Sequence, residues 1–439
     1  MSKGAEPATP APAGPEGGRR LTRHAAARSF GAVTPASPLP AFQPRRPLRA
    51  LVLHSRFPDR FQHLAPALAE RMGVQVVSMG EADAPRLPGV RQHLHHGPPR
   101  ATPDQTHTYL KPMDAAVRRG QAVASRLIEA RDKEGLAPDI VICPAASGEA
   151  LYVKDVFPRA RVLQFCEGFG DPHAAGDGPA PGVDALARIR TGNAAQLLAL
   201  QSADWGFAPT AWQRGLYPDW ARRRITTIPD GIDTARCAPR TGLPFRTPAG
   251  LAFHKGDPVI SFVVPTRDPQ PGIGAFLGAL ALMQQARPDL QAVVVGGEDV
   301  PKPGNLDLSR LHVTGALPQD ALHALFRVTA AHLHLSHPAT LSRSMLEAMA
   351  CGAVVVAADT PPIREAIIPG EGGLLVPFAD TAAIAAAVLG VVAEPNAHAH
   401  LAEGGRQAIV ARHDLYRICL PRQLELIERV AAGQMAEQE

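Results

Sequence analysis

Short apolar runs alternate with helix-periodic segments along most of this chain. The run LRALVLH at residues 48–54 is followed by a segment of helical periodicity at residues 60–72 and by a second apolar run at residues 74–79. A strand, a helix and a second strand within about thirty residues form a βαβ unit, which implies a parallel sheet. The pattern therefore predicts an α/β fold from the first ordered segment onward.

The same alternation continues through both halves of the chain. In the first half it predicts strands at residues 139–143, 160–165, 204–208 and 225–228 and helices at residues 109–131, 184–200 and 210–217. In the second half it predicts strands at residues 259–265, 291–296, 311–314 and 332–335 and helices at residues 272–286, 319–328 and 381–392. Two such series predict two Rossmann-like, doubly wound domains facing a cleft at the carboxyl ends of their strands.

The length of 439 residues also favours more than one domain. We expect a disordered Ala/Pro-rich basic tail at residues 1–47, an N-terminal domain at 48–235, a linker at 236–256, a C-terminal domain at 257–413, and a C-terminal helix at 414–439 that packs back on the N-terminal domain. The tail carries seven cations against two carboxylates, so the formal charge of +4 leaves the body slightly acidic. That balance argues against a nucleic-acid-binding protein.

The cysteines point to a reducing compartment. Five cysteines are scattered without a C-x-x-C pattern, which predicts neither a disulfide framework nor a zinc site. No apolar run is long enough for a transmembrane helix. We expect a cytoplasmic protein, with peripheral contact at the inner face of the membrane as an open possibility.

The segment from Leu335 to Phe378 carries the most chemistry. Thr and Ser side chains precede a predicted helix at residues 337–342, and the free backbone N–H groups of a helix start suit a diphosphate. Glu347 follows one turn later, where a carboxylate can accept hydrogen bonds from the two hydroxyls of a ribose. The alternative is that Ser344 and Glu347 form an S-x-x-E capping box that serves only the helix.

The amino-acid sequence of this segment resembles that of a known family. LEAMACGAVVVA at residues 346–357, with DTPP at 359–362 and RE at 364–365, is similar to the donor-site signature of retaining GT-B glycosyltransferases of family 4 (glycosyl transferases group 1). LSRS at residues 341–344 resembles a bacterial branch of that family in which the first glutamate of the E-x7-E motif is commonly absent; Ala339 stands in its place here. Further similar stretches lie at residues 57–58, 61–68, 115–124, 148–151, 154–158 and 209–214, so the resemblance covers roughly residues 48–425.

The resemblance implies a metal-independent enzyme that moves a hexosyl group from a nucleoside-diphosphate sugar to a glycan, lipid or protein acceptor with retention. The N-terminal domain would bind the acceptor and the C-terminal domain the donor, with no cofactor. The implied donor-binding residues are Arg267, Gly297, Thr340, Leu341, Ser342, Ser344 and Glu347. Glu149 and His63 are catalytic candidates in the cleft, although each suits a helix-capping or packing role equally well. Gly297, next to Gly296, also suits a simple tight turn.

Two departures from the family keep a second hypothesis open. The loop after Arg267 lacks the second cation expected beside a departing diphosphate, and residues 144–147 (PAAS) replace a stretch in which the branch tends to have a histidine. A catalytically degenerate protein that binds nucleotide, glycan or a partner without transfer would show both departures. A nucleotide-sugar epimerase on the same architecture would need an acid pair that the sequence does not reveal.

Two smaller patterns have structural interpretations. Asp230 and Asp233, in the sequence IPDGID, are expected to fix a turn through side-chain to backbone hydrogen bonds. The histidines at positions 93, 95 and 96 match no standard metal spacing and have no carboxylate nearby in sequence. A solvated loop is the favoured interpretation for them.

Overall fold

A computed structural model describes the chain at residues 47–71, 73–81, 83–95, 106–171, 181–264, 272–297, 300–301, 303–336 and 341–436. Nearly all of the predicted tail lies outside these ranges. So do Arg267, Ala339 and Thr340.

The N-terminal domain is built on a parallel seven-stranded sheet. Its strands are β1 (Leu48–Leu53), β2 (Val74–Glu81), β3 (Arg91–His95), β4 (Ile140–Pro144), β5 (Arg161–Phe165), β6 (Trp205–Ala208) and β7 (Ile225–Thr227), in the order β3-β2-β1-β4-β5-β6-β7. Its helices are α1 (Leu64–Glu70), α2 (Lys111–Glu134), α3 (Val153–Val156), α4 (Val183–Gly192), α5 (Ala194–Ser202), α6 (Ala211–Gly215) and α7 (Asp219–Arg222). Every residue of β4 is buried, as expected for a strand covered by helices on both faces.

The C-terminal domain repeats this plan on six strands after a short antiparallel hairpin. The hairpin is β8 (Phe245–Arg246) with β9 (Ala252–Phe253), and the sheet strands are β10 (Val259–Val263), β11 (Gln291–Val295), β12 (Leu311–Val313), β13 (Ala331–His334), β14 (Val354–Ala358) and β15 (Leu374–Val376), in the order β12-β11-β10-β13-β14-β15. Its helices are α8 (Ile273–Ala286), α9 (Gln319–Val328), α10 (Arg343–Ala350), α11 (Pro361–Ala366), α12 (Thr381–Ala393) and α13 (Ala399–Arg412). Two doubly wound domains were predicted, and that fold class is confirmed.

Each sheet reverses its strand order beside its own first strand. In the N-terminal domain β1 pairs with β4, and in the C-terminal domain β10 pairs with β13. The chain leaves these neighbouring strands in opposite directions around the sheet, which opens a crevice at their carboxyl ends. The carboxyl ends of β1, β4, β10 and β13 are therefore the places where a ligand is expected.

The end of the chain returns to the N-terminal domain. The Leu415 amide donates to the Ile232 carbonyl at 2.9 Å, and the Ile232 amide donates to the His413 carbonyl at 2.7 Å. A π-helical turn at Leu415–Cys419 then leads into α14 (Leu420–Ala431), whose apolar side chains join the core of the first sheet. The chain leaves the N-terminal domain just after Ile232 and returns to it just after His413, so the two connections between the domains lie side by side.

Two elements differ from the sequence prediction for clear reasons. The predicted helix at residues 184–200 is two helices, because the Asn193 amide side chain hydrogen-bonds the backbone N–H and C=O of Gly170 between them. The expected solvated loop at His93 is wrong, since β3 lies there and His93 is buried. Its ring nitrogen lies 3.3 Å from a carboxylate oxygen of Glu134, at the end of α2. Glu134 is far from His93 in sequence, so the sequence did not indicate this contact.

No helix among the described residues is long and apolar enough to cross a membrane. All five cysteines are free thiols, and each is buried.

Two buried histidines on β13 make the stability of the C-terminal domain depend on pH. Burial lowers the pKa of His332 to about 3 and that of His334 to about 4. In the unfolded chain both would titrate near about 6.5. Between these values the unfolded state binds more protons, so the contribution of each neutral histidine is present above pH about 6.5 and is lost as the pH falls toward 4.

We expect the free energy of unfolding of this domain to fall less steeply with acid pH in His332→Gln than in wild type. His332 accepts or donates one hydrogen bond with the Ser261 hydroxyl at 3.0 Å, which glutamine can retain. The measurement is the free energy of unfolding in denaturant between pH 4 and 7, where the wild type should lose up to about 3 kcal/mol more than the variant. His400→Gln, on an exposed turn of α13, is the control and should leave the slope unchanged. Equal slopes in wild type and His332→Gln would contradict the assignment.

Candidate functional site

Helix α10 begins beside the carboxyl end of β13, at the strand-order reversal of the second sheet. Its N-cap is Ser342, whose hydroxyl accepts a hydrogen bond from the Met345 amide at 3.4 Å. Ser344 lies inside the first turn, with its hydroxyl 3.0 Å from that of Ser342. The alternative capping box of Ser344 and Glu347 is therefore wrong. The remaining amides of this first turn are the donors that a helix start offers to an anion.

Glu347 is buried and is held by side chains from two helices. Its side chain is 5% exposed. One carboxylate oxygen, Oε1, accepts from Arg343 Nε at 3.1 Å and from Gln319 Nε2 at 3.2 Å. The other, Oε2, lies 3.6 Å from His323 Nε2. The carboxylate thus has a fixed orientation at the base of the first turn of α10.

The charges around Glu347 stabilise its ionised form. Burial alone would raise the pKa of Glu347, but the nearby His323 imidazole and the charge of Arg343 outweigh it, so the pKa lies below its usual range. Burial alone would lower the pKa of His323, yet its contacts with Cys237 and Glu347 raise it to about 9. A negative carboxylate is therefore maintained at neutral pH although water is nearly excluded.

The remaining predicted donor residues lie around the same reversal or outside the described ranges. Gly296 and Gly297 follow β11 with φ of 81° and 69°, which confirms the tight turn. A Cβ at Gly297 would lie 3.0 Å from the Val300 side chain, so the chain passes close there. Leu341 packs half-buried against the core of this domain. Arg267 and Thr340 lie outside the described residues.

Glu149 occupies the corresponding place in the N-terminal domain. It follows β4, is 2% exposed, and accepts a hydrogen bond through Oε1 from the Ser55 amide, just after β1, at 3.2 Å. Gly148 has φ of 97°, and a Cβ there would lie 2.4 Å from the Ala116 carbonyl oxygen, so only glycine fits. Glu149 therefore bridges the two loops of the first reversal rather than capping a helix. Its Oε2 has no hydrogen-bond partner within the described part of the chain.

His54, the residue after β1, lies beside this carboxylate. Its Nε2 is 3.3 Å from Asp59. Burial lowers the pKa of His54, partly offset by the negative charges of Asp59 and Glu149. A mostly neutral imidazole next to a buried carboxylate is an arrangement suited to accepting or passing a proton.

Arg60 joins the first reversal to the interdomain turn. It forms ion pairs with Glu167 and, at 2.8 Å, with Asp230, and its guanidinium lies 5.0 Å from the centre of the Phe165 ring. The expectation that Asp230 fixes the turn by bonding its backbone is thus wrong, because Asp230 pairs with Arg60. The same expectation for Asp233 is confirmed. Its Oδ1 accepts from the amides of residues 235 and 236 at 3.1 and 3.0 Å.

The two reversals face each other across the cleft. His63 precedes α1 in the N-terminal domain, and its ring meets that of Tyr416 edge-on at 6.1 Å. It makes no capping hydrogen bond with its side chain, so the capping alternative is wrong for His63. Burial lowers its pKa, and the positive charge of Arg343 on α10 lowers it further. The start of α10 is therefore close enough to act on the N-terminal domain.

A second contact closes the cleft beside α10. The Glu365 carboxylate on α11 accepts hydrogen bonds from the Ala211 and Trp212 amides, at 2.8 and 2.6 Å, at the start of α6. The two domains are thus tied by a charge-assisted contact as well as by the chain crossings at Ile232.

Sequence reasoning missed several residues of this site. They are His54, Arg60, Cys237, Gln319, His323 and Arg343. His54 had a usable signal, since it is the first polar residue after a buried strand. Gln319 and His323 lie four residues apart on α9 and share one face, but nothing in the sequence tells which helix that face meets.

Each of the two domains matches the model of a known protein family. Residues 72–237 match the model of the glycosyl transferase family 4 group, and residues 251–408 match that of glycosyl transferases group 1. Among characterised relatives, a D-inositol 3-phosphate glycosyltransferase of Acidothermus cellulolyticus is 29% identical over 43% of this chain and 44% of its own length. A glycogen synthase of Mycobacterium tuberculosis is 28% identical over 43% of this chain and 45% of its own length. The chain thus aligns with about half the length of these relatives.

Solved structures share the fold at low sequence identity. A sucrose-phosphate synthase from Thermosynechococcus elongatus has a TM-score of 0.67 and 19% identity, covering 88% of this chain and 100% of that one. HepE of Anabaena, solved in complex with UDP-glucose, has a TM-score of 0.60 and 16% identity over 86% of this chain and 98% of its own. These are GT-B structures, and the two facing doubly wound domains described above have that architecture.

Proposed function

We propose that this chain, a glycosyltransferase of the GT-B fold with a family 4 group domain followed by a group 1 domain, transfers a hexosyl group from a nucleoside-diphosphate sugar with retention. One observation carries the proposal. A buried, ionised carboxylate, Glu347, stands one turn inside the helix that starts at the strand-order reversal of the second sheet. Free helix amides and a fixed carboxylate about one turn apart suit the two polar parts of a nucleoside diphosphate.

The donor would lie along the start of α10. The amides from Leu341 to Ser344 would bind the diphosphate, with Thr340 beside them, and Glu347 would bind the ribose hydroxyls once Arg343 swings away. Arg343 is 46% exposed, so it can move at little cost, while Gln319 and His323 continue to hold the carboxylate. The complex of HepE with UDP-glucose supports a nucleotide sugar as the donor.

The acceptor would enter against the N-terminal reversal. Glu149 and His63 lie on loops at that edge, and His54 stands beside Glu149. In a retaining transfer of this family type the acceptor attacks on the face that the diphosphate leaves, so no protein nucleophile is required. Glu149 would then orient an acceptor hydroxyl. We propose that the reaction needs no metal ion, because helix amides and Arg267 supply the positive charge.

Arg267→Ala should lower turnover more than it lowers donor binding. A cation beside the diphosphate gains importance as the glycosidic bond breaks and negative charge develops on the leaving group. We expect the rate of slow donor hydrolysis to fall by about a hundredfold. Arg287→Ala, which removes only the surface ion pair of Arg287 with Asp289, is the control and should leave the rate unchanged.

The experiment uses the purified full-length chain with a panel of UDP- and ADP-sugars, and it measures binding by calorimetry and hydrolysis by release of free nucleotide. Binding with hydrolysis that depends on Arg267 supports the proposal. Binding without hydrolysis or transfer, unaffected by Arg267→Ala, would instead support the degenerate binding protein. No binding of any nucleotide sugar would rule out the donor site itself.

A further inference from the structure

Three ligand-type side chains converge behind the donor site. The Cys-His-Glu cluster consists of Cys237, His323 and Glu347, and its Sγ, ring nitrogen and carboxylate oxygen all lie within 4.8 Å of one another. It is the one such group of three in the described part of the chain. Relative exposure is 2%, 0% and 4% for the three residues. They come from the segment after the interdomain turn, from α9 and from α10.

Two of the three distances within the cluster match those between the ligands of one tetrahedral ion. Cys237 Sγ lies 3.3 Å from His323 Nε2, and His323 Nε2 lies 3.6 Å from Glu347 Oε2. In a tetrahedral zinc site with usual bond lengths, sulfur and nitrogen ligands are about 3.5 Å apart and nitrogen and oxygen ligands about 3.3 Å apart. Cys237 Sγ and the Glu347 oxygen lie within 4.8 Å of each other, so an ion between them would draw these two side chains together.

Hydrogen bonding alone satisfies this cluster poorly. A single atom, His323 Nε2, faces both the Cys237 sulfur and the Glu347 oxygen, and it can direct only one N–H bond. The other ring nitrogen, Nδ1, is buried without a hydrogen-bond partner among the described residues. A cation at the meeting point of these atoms would engage all three at once.

The surroundings supply the supporting contacts. Cys351, at the end of α10, is buried close to Cys237. Arg343 and Gln319 bind Oε1 of Glu347 and leave Oε2 facing His323, which fixes the carboxylate as outer-shell partners do at metal sites. A thiol, an imidazole and a carboxylate are a donor set that favours zinc over magnesium or calcium.

We propose that the Cys-His-Glu cluster binds one Zn²⁺ through Cys237, His323 and Glu347, and that the bound ion, by withdrawing negative charge from the Glu347 carboxylate, weakens its hydrogen bonds to the ribose of a nucleoside diphosphate. The ion would be an inhibitor of a transferase that itself needs no metal. Binding of the ion does not depend on the proposed function. The loss of nucleotide affinity does, because it assumes that Glu347 binds the ribose.

The metal is tested with Co²⁺ and Zn²⁺ on the full-length chain under reducing conditions. Thiolate ligands give Co²⁺ an intense near-ultraviolet charge-transfer band, and added Zn²⁺ should abolish it at one ion per chain. Cys237→Ser should lose the band and weaken Zn²⁺ binding by about a hundredfold or more, since even outer-shell changes cost about ten- to a hundredfold. Cys419→Ser is the matched control, because that buried thiol donates only to the Arg412 carbonyl and serine can replace it. It should keep both.

Because the cluster is buried, metal content is also measured by mass spectrometry on protein isolated from zinc-supplemented cells. Absence of both the band and bound zinc in wild type, or a band that persists in Cys237→Ser, would overturn the proposal. A disulfide between Cys237 and Cys351 that forms even under these reducing conditions would overturn it as well. The thermal unfolding of each variant shows whether a lost band reflects lost ligands or lost fold.

Nucleotide titrations with and without zinc separate this proposal from the proposed function. UDP and ADP binding is measured with and without one equivalent of Zn²⁺, and we expect the ion to lower nucleotide affinity at least tenfold in wild type and not in Cys237→Ser. Zinc binding without any nucleotide binding would leave the metal site standing and refute the donor site. Nucleotide binding without zinc binding would leave the donor site standing and refute the metal site. Binding of both at once without any loss of nucleotide affinity would refute the effect of the ion on Glu347.

Discussion

Replacing Glu347 by glutamine should lower the affinity for a nucleoside diphosphate by about ten- to a hundredfold. A carboxylate that accepts hydrogen bonds from two ribose hydroxyls contributes about 1.5–3 kcal/mol, and a neutral amide recovers only part of it. The amide would also turn an N–H toward Arg343 or Gln319, which donate to the carboxylate in the wild type, or toward His323, which lies 3.6 Å from it. Calorimetric titration with UDP and with ADP measures the change. Glu371→Gln, an exposed residue of the same domain, is the control and should change nothing.

Removal of the ribose hydroxyls distinguishes direct contact from a disturbed helix. Wild type should bind 2′,3′-dideoxy-UDP or dideoxy-ADP about as weakly as the variant binds the parent nucleotide, and the variant should no longer discriminate between the two. If Glu347→Gln still prefers the nucleotide with hydroxyls as strongly as wild type does, Glu347 does not bind the ribose. Its role would then be to hold α9 against α10 through His323 and Gln319.

The fold could be read from the sequence because its signals are local. A strand such as β4 or β14 is apolar at every position since helices cover both faces, and such runs stand out between periodic helices. The edge strand β3 escaped notice for the opposite reason. Its sequence RQHLH is mostly polar, and His93 is buried against Glu134 and Arg126 of α2, a partner some forty positions away that no local pattern reveals.

The residues of the candidate site also differ in whether the local sequence could reveal their role. Ser342, Ser344 and Glu347 lie on one helix start, so their spacing alone indicated an anion and a hydroxyl-bearing group. The residues that orient Glu347 from outside α10 come from α9, and their contribution depends on how two helices pack. Cys237 shows the limit most clearly. It lies far from any other cysteine in sequence, and only folding brings it to His323.

Gly272→Ala should destabilise the C-terminal domain by about 2–6 kcal/mol, the largest loss of stability that we predict for a single substitution. Gly272 caps α8 with φ of 93°, a conformation that costs an alanine about 1–3 kcal/mol. Its Cβ would also lie 1.9 Å from the Leu335 carbonyl oxygen, at the end of β13. Backbone atoms cannot rotate away, so the start of α8 and the end of β13 must separate, at a further cost of about 1–3 kcal/mol.

The position of this contact links stability to the donor site. The Gly272 carbonyl accepts from the Phe276 amide at 2.9 Å, so movement of residue 272 moves the first turn of α8, while Leu335 lies between β13 and α10 in the chain. We therefore expect nucleotide affinity to fall together with the unfolding free energy, measured by denaturant titration. Gly274→Ala is the matched control. A Cβ there meets nothing within 4 Å, and alanine in a helix should be neutral or stabilising by about 0.5–1 kcal/mol. If the two variants are equally stable, the start of α8 and the end of β13 do not approach at Gly272 as described, and the crevice at this reversal is wider than the contacts indicate.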